Sequence, residues 1–138
     1  MKISLRFKQP DLARKTRAIP REIDRRLTEI VAAATSRTKL NAKQFAPVDK
    51  AGLKNSIHSA ADGLTGEVTV NVTYGPFLEF GTGSKVVVPG ELKDYAMQFK
   101  GKGIRQVNNR AQPYLYPAFF INRERFKKAC DKALKEVL

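Results

Sequence analysis

Cysteine, histidine and tryptophan are nearly missing from this chain of 138 residues: Cys130 and His58 stand alone, and there is no tryptophan. A single cysteine excludes an intrachain disulfide and suits a reducing interior. A single histidine excludes a histidine-based metal cluster and leaves any nucleophile–histidine–acid triad dependent on His58. That residue falls in an expected strand, where a partly buried, hydrogen-bonded ring is the simpler role. Acidic residues are scarce as well, and Asp49, Asp62, Glu67 and Glu79 fall in separate elements, so no carboxylate pair is laid out for acid–base work. No apolar run reaches the ~20 residues of a membrane span. The N-terminus, MKISLRFKQPDLARK, lacks the apolar stretch and small-residue cleavage site of a signal peptide. These absences lead us to expect an intracellular protein that is not an enzyme, with no cofactor, no metal and no membrane partner.

Positive charge is abundant. Lys and Arg number 26 against 13 Asp and Glu, a net of +13. Residues 1–45 carry a net of +8, residues 46–80 a net of −2, residues 81–116 a net of +4 and residues 117–138 a net of +3. A basic excess at both ends suits an anionic partner, either nucleic acid or an acidic protein, and is equally the mark of a solvated surface. Arg14, Lys15, Arg17, Arg21, Arg25 and Arg26 are the candidate phosphate contacts.

The apolar share, 42%, is that of a folded domain, and the length suits one domain over residues 1–138. Ile3, Leu5 and Phe7 alternate as in a half-buried strand. Asp11 can cap a helix that restarts or kinks at Pro20. Ile23, Leu27, Ile30, Val31 and Ala34 then recur at helical spacing to about Lys43, before Pro47. Residues 46–57 read as a turn with a short helix. Strands are expected over about Ser56–Ala61 and Glu67–Thr73, joined by DGLTG, with Val68, Val70 and Val72 on one face. SKVVVP (84–89) reads as a further strand and Glu91–Phe99 as a short helix. Residues 101–112, polar and glycine-containing, read as a mobile loop. After Pro113 and Pro117 an amphipathic helix carries Phe119, Phe120, Phe126, Cys130, Ala133, Leu134 and Val137. The expected class is α+β: a small antiparallel sheet packed against a long N-terminal and a C-terminal helix.

GTGSK (81–85) superficially suggests a phosphate loop, but the lysine and hydroxyl positions are wrong and a strand, not a helix, is expected next. The wider motif YGPFLEFGTG (74–83) packs aromatics, a proline, a carboxylate and glycines into ten residues. Gly75-Pro76 can turn the chain, and Phe77, Leu78 and Phe80 can form one helical turn with apolar residues inward. Glu79 would point toward that turn's own N-terminus or a basic group. Gly81 and Gly83 permit unusual dihedrals on leaving.

Three segments, in order, resemble the tail-completion (neck, head–tail joining or minor tail) proteins of long-tailed bacteriophages. APVDKAGLKNSIHSA, with Pro47, Asp49, Gly52, Leu53 and Ser56, is similar to a Pro-Val-Asp-Thr-Gly-x-Leu-x-x-Ser-Ile segment, with Lys50-Ala51-Gly52 replacing Thr-Gly. YGPFLEFGTG, with Tyr74, Glu79, Phe80, Gly81 and Thr82, is similar to Tyr-Ala-x-Tyr-x-Glu-Phe-Gly-Thr, with Gly75-Pro76-Phe77 where Ala-x-Tyr is commoner. QPYLYPAFF, with Pro113 and Pro117, is similar to a Pro-Phe-Leu-x-Pro-Ala step into the last helix. The resemblance implies a structural virion protein, made in the bacterial host cytoplasm. It would form a homo-oligomeric ring at the head–tail junction and contact other neck or tail proteins such as the tail terminator. It also implies that residues 84–112 are an arm reaching a neighbouring subunit, with Val86, Val87 and Val88 as its apolar contact. The alternative is a DNA-binding protein without sequence specificity that uses the basic N-terminal helix.

Overall fold

The computed structural model describes residues 3–8, 21–47, 51–81, 86–97 and 110–137. Strand β1 (Ile3–Lys8) is followed by helix α1 (Arg21–Phe45), the single turn α2 (Ala51–Asn55), and strands β2 (Ile57–Asp62) and β3 (Thr65–Val70). Then come the short helix α3 (Gly75–Phe80), a 3-10 turn (Gly90–Leu92), the single turn α4 (Lys93–Ala96) and the long α5 (Leu115–Val137). The sheet is antiparallel in the order β1-β3-β2, and the class is α+β.

Helix α1 begins directly after Pro20 and buries Ile23, Leu27, Val31, Ala34, Thr35, Thr38 and Ala42, one stripe at three- and four-residue spacing. Two members are polar, yet each hydroxyl donates to the carbonyl one turn earlier: Thr35 to Val31 at 2.7 Å and Thr38 to Ala34 at 2.8 Å. The stripe therefore buries no unpaired hydroxyl. The helix runs two residues past Lys43, and Pro47 prevents its continuation. The helix expected from Asp11 lies outside the described residues.

Helix α5 packs antiparallel to α1. Arg26 near the start of α1 reaches Glu136 near the end of α5 at 2.8 Å, and Asn122 donates to Asn41 at 2.9 Å. Between these pairs Ile23, Leu27, Val31 and Ala34 meet Phe126 and Cys130 in one apolar cluster. A second cluster joins Ile3, Val68, Val70, Ile57, Leu53 and Ala42 to Phe80, Tyr114, Leu115 and Ala118.

The sheet has a buried and a polar face. In β3, Gly66, Val68 and Val70 are buried while Thr65, Glu67 and Thr69 are half-buried. On the polar face Arg6 pairs with Glu67, directly opposite, at 2.6 Å. Helix α1 crosses the buried face at Gly66: a Cβ there would lie 1.9 Å from Thr35 Oγ1 and 3.2 Å from Val31 Cγ1. Both hairpin strands begin and end differently from expectation. β2 ends at Asp62 and β3 spans 65–70, because a two-residue turn at Gly63 (φ +58°) pairs Asp62 with Thr65. Val72 lies past the strand and is half-buried against the second cluster.

Three further expectations need correction. Residues 86–89 form no strand, and the helix expected over Glu91–Phe99 is broken into the 3-10 turn and α4. The 3-10 turn begins at Gly90, directly after Pro89, and glycine weakens a helical start. Helix α5 starts at Leu115, so Pro117 lies in its first turn instead of before it.

Candidate functional site

The YGPFLEFGTG segment turns the chain from β3 toward the arm and holds the start of α5. Gly75 donates to Val72 O at 3.2 Å, closing the turn after β3, and Pro76 opens α3. A Cβ on Gly75 would lie 3.1 Å from both Tyr114 Oη and Val70 Cγ1, so helix, strand and tyrosine meet closely there. Tyr114 is fully buried and donates its hydroxyl to Gly75 O at 3.1 Å.

Glu79 is 1% exposed. Its Oε2 accepts the N–H groups of Tyr114 and Leu115, both at 2.9 Å, and its Oε1 accepts that of Tyr116 at 2.6 Å. A helix leaves its first four N–H groups without intrahelical partners. For α5 these belong to Tyr114, Leu115, Tyr116 and residue 117, which is proline and has no N–H. One carboxylate from α3 thus satisfies every donor at this helix end. Burial pushes the Glu79 carboxyl above its ordinary range, against the pull of the three N–H donors. Burial, followed by the nearby Glu79, pushes the Tyr114 phenol up. The expectation that Glu79 points to its own turn's N-terminus or to a basic group needs correction. Glu79 lies near that turn's C-terminal end, where carbonyls project, and so points to the N-terminus of the next helix instead.

The same corner holds the roots of the arm. Gly81 has φ +81° and ψ −179°, a conformation essentially confined to glycine. Its N–H donates to Phe77 O at 2.8 Å, Val87 donates to Phe80 O at 2.8 Å, and Gln112 donates to Leu78 O at 2.8 Å. Outgoing and returning chain are both fastened to α3. The valines divide: Val86 and Val87 are exposed at 51% and 59%, while Val88 packs against the core with Leu92, Tyr95 and Ala96. Tyr95 Oη accepts the Ser4 N–H at 2.8 Å, and Glu91 pairs with Arg123 at 2.5 Å, whose guanidinium lies 4.7 Å from the Phe120 ring centre. The 88–96 segment is therefore packed on the domain through Val88, Leu92, Tyr95 and Ala96. The expected mobility of 101–112 falls largely outside the described residues.

Of the other candidate residues, Leu53 is in the core, and Ser56 closes α2 by donating its hydroxyl to Leu53 O at 2.7 Å. A Cβ on Gly52 would lie 3.1 Å from Tyr74 Oη, so the first two motif segments meet. Pro47, Pro113 and Pro117 are half-buried, and Asp49 and Thr82 lie outside the described residues. So do Arg14, Lys15 and Arg17. Arg21 is exposed, Arg25 pairs with Glu29 at 2.8 Å and Glu22 at 3.3 Å, and Arg26 pairs with Glu136 and Glu22. Arg21, Arg25 and Arg26 do not form one uncompensated patch. A different basic pair exists: Arg37 on α1 and Arg125 on α5, where burial and then Arg125 lower the Arg37 pKa. Leu40 and Ile121, both 60% exposed, lie beside this pair in sequence on the same two helices.

His58 is exposed on the polar face of the sheet, since its neighbour Ile57 takes the buried side. Cys130 is buried in the α1–α5 cluster. Among the described residues no group of His, Cys, Asp and Glu could hold a metal ion, and no helix is long and apolar enough to cross a membrane. A furrow of about 390 Å³ is lined by Lys128, Asp131, Lys132, Lys135 and Glu136, all on α5, and is too open to enclose a small molecule. Sequence reasoning missed Gly66, Tyr95 and the Asn41–Asn122 pair. Of these only Gly66 carried a signal, a glycine inside a strand pattern.

No curated protein and no solved structure matches the chain. A family model does match, over residues 11–81, which run from before α1 through the Glu79 corner. The chain belongs to that family, described as "Bacteriophage HK97-gp10, putative tail-component", and is thus one of a family of structural bacteriophage tail components.

Proposed function

We propose that this tail component is a ring-forming subunit at the head–tail junction, acting in tail completion and in joining tail to head. The observation that carries this reading is how the described ends of residues 81–112 are fastened. Both roots are fastened by backbone bonds to α3, and two β-branched residues, Val86 and Val87, are held in solvent. Exposed apolar side chains on a rigid base suit contact with another protein. The partners would be further copies of the chain and neighbouring neck or tail proteins such as the tail terminator, and the place in the virion the head–tail junction. No enzymatic role enters this reading.

The test is a phage carrying Val86→Asp and Val87→Asp together. Both side chains are exposed, so the purified variant should melt like the wild type. Electron microscopy of lysates should show filled heads and separate tails. Normal virions would remove the arm from the assembly role.

A second reading, contact with DNA in the channel, is favoured by the net +8 of residues 1–45. The pairing of Arg25 and Arg26 with carboxylates weighs against a dedicated phosphate patch.

A further inference from the structure

Strand β3 is paired on both sides, which leaves β1 and β2 as edges, and the two edges differ. The Ser4 N–H points away from β3 and is taken by Tyr95, so α4 lies along the outer side of β1. Among the described residues no strand lies along the outer side of β2.

The direction of the backbone groups in β2 follows from one bond. Asn71 donates to Ser56 O at 3.2 Å, so that carbonyl faces β3. Both backbone groups of a residue point to one side and neighbours alternate. His58 and Ala60 therefore also face β3, while Ser59 and Ala61 face away. The other edge gives the same parity: Ser4 lies opposite Thr69, and Thr69 opposite His58. β2 reads IHSAAD, without the lysine, proline or bulge that commonly guards an exposed edge.

We infer that this edge receives Val86–Val88 of a second copy of the chain as an added strand. The inference rests on the ring reading above and names its contact. Val86 and Val87 have strong strand preference but belong to no strand within the subunit. The Val87 N–H is turned to Phe80 O, and in an added strand, where neighbours alternate, this leaves Val86 and Val88 to pair with the acceptor edge. Charge favours a second copy: residues 46–80, which contain β2, have a net of −2, and residues 81–116 a net of +4. Geometry agrees, because the valine run leads into α4 on the β1 side of the sheet and the acceptor is the opposite edge. Donor and acceptor are different surfaces, so the contact is head-to-tail and repeats into a ring or a filament.

The test uses the full chain in three forms: wild type, Ser59→Pro, and the double variant Ser59→Cys with Val86→Cys. Proline at 59 removes an outward N–H and no bond to β3. Sedimentation velocity should show an oligomer for the wild type. For Ser59→Pro, with unchanged circular dichroism, association should weaken by about tenfold or more. Under mild oxidation the double-cysteine variant should form intermolecular disulfides, whereas Lys128→Cys with Val86→Cys should not. A wild type that is monomeric at every concentration overturns the ring reading and this contact with it. An oligomer that Ser59→Pro leaves intact, with no disulfide from the 59/86 pair, overturns the contact alone. Should Ser59→Pro fail to fold, the disulfide decides.

Discussion

Glu79 combines two demands that usually conflict. It is removed from water, which costs an ionised carboxylate dearly, and it is the acceptor for three N–H groups that would otherwise be orphaned at the start of α5. Glu79→Ala should cost about 3 kcal/mol or more, since each buried donor left without an acceptor costs roughly 1–3 kcal/mol. Urea unfolding measures it, and a loss below about 1 kcal/mol would mean water replaces the carboxylate. Glu79→Gln keeps the shape and removes the titration. Because the folded-state pKa is raised, the folded chain holds this proton to higher pH than the unfolded chain does. The contribution is fully present below the ordinary glutamate pKa and is lost as pH rises through the raised one. Wild-type stability relative to Glu79→Gln should therefore increase as pH falls through that window. An increase with rising pH would show that the three N–H donors outweigh desolvation.

Among the elements, the crossing of α1 over β3 is a close contact, and a glycine permits it. At Gly66 the added Cβ of alanine would overlap Thr35 Oγ1, which is itself tied to Val31 O, so relief requires that bond to break or the helix to shift. Gly66→Ala should destabilise by about 2 kcal/mol, the ordinary cost of overpacking. In a Thr35→Ala background the cost should shrink, because the hydroxyl that obstructs is gone. Denaturant melts of the four proteins give this coupling. Equal costs in both backgrounds would place the strain elsewhere. The arm teaches a related point. Val88, Leu92, Tyr95 and Ala96 pack on the core, so deleting 86–102 would remove more than an interaction device. Substitution of the exposed valines is the cleaner experiment.

For the whole molecule the governing quantity is the net charge of +13. If α1 meets the DNA in the channel, binding to duplex DNA should be weak, independent of sequence and lost at moderate salt, with each phosphate contact adding about one unit of log–log slope. Reversing Arg21, Arg25 and Arg26 to glutamate should flatten that slope. The same change breaks the pairing of Arg25 and Arg26 with Glu22, Glu29 and Glu136, so a melt must accompany it. Tight, sequence-selective binding that survives raised salt would instead favour the DNA-binding reading over the assembly role.

What the sequence by itself determined is whatever depends on spacing along the chain. The apolar stripes of α1 and α5, the hairpin around Gly63, the α+β class and the family resemblance carried by the 46–60 and 74–83 motifs were all legible there. Periodicity and turn chemistry are local, so a linear reading captures them. What only the tertiary structure decided is where side chains far apart in sequence meet. The linear reading points Glu79 to its own turn's N-terminus or to a basic group, but its partners lie 35 to 37 positions away, because α3 ends where α5 begins. Val88 reads like its two neighbours in the sequence, yet packing separates it from them, and the strand propensity of 86–89 goes unused because among the described residues no strand is placed to pair with it. Strand preference is a preference for fitting a pleated surface, and only the folded chain supplies or withholds that surface.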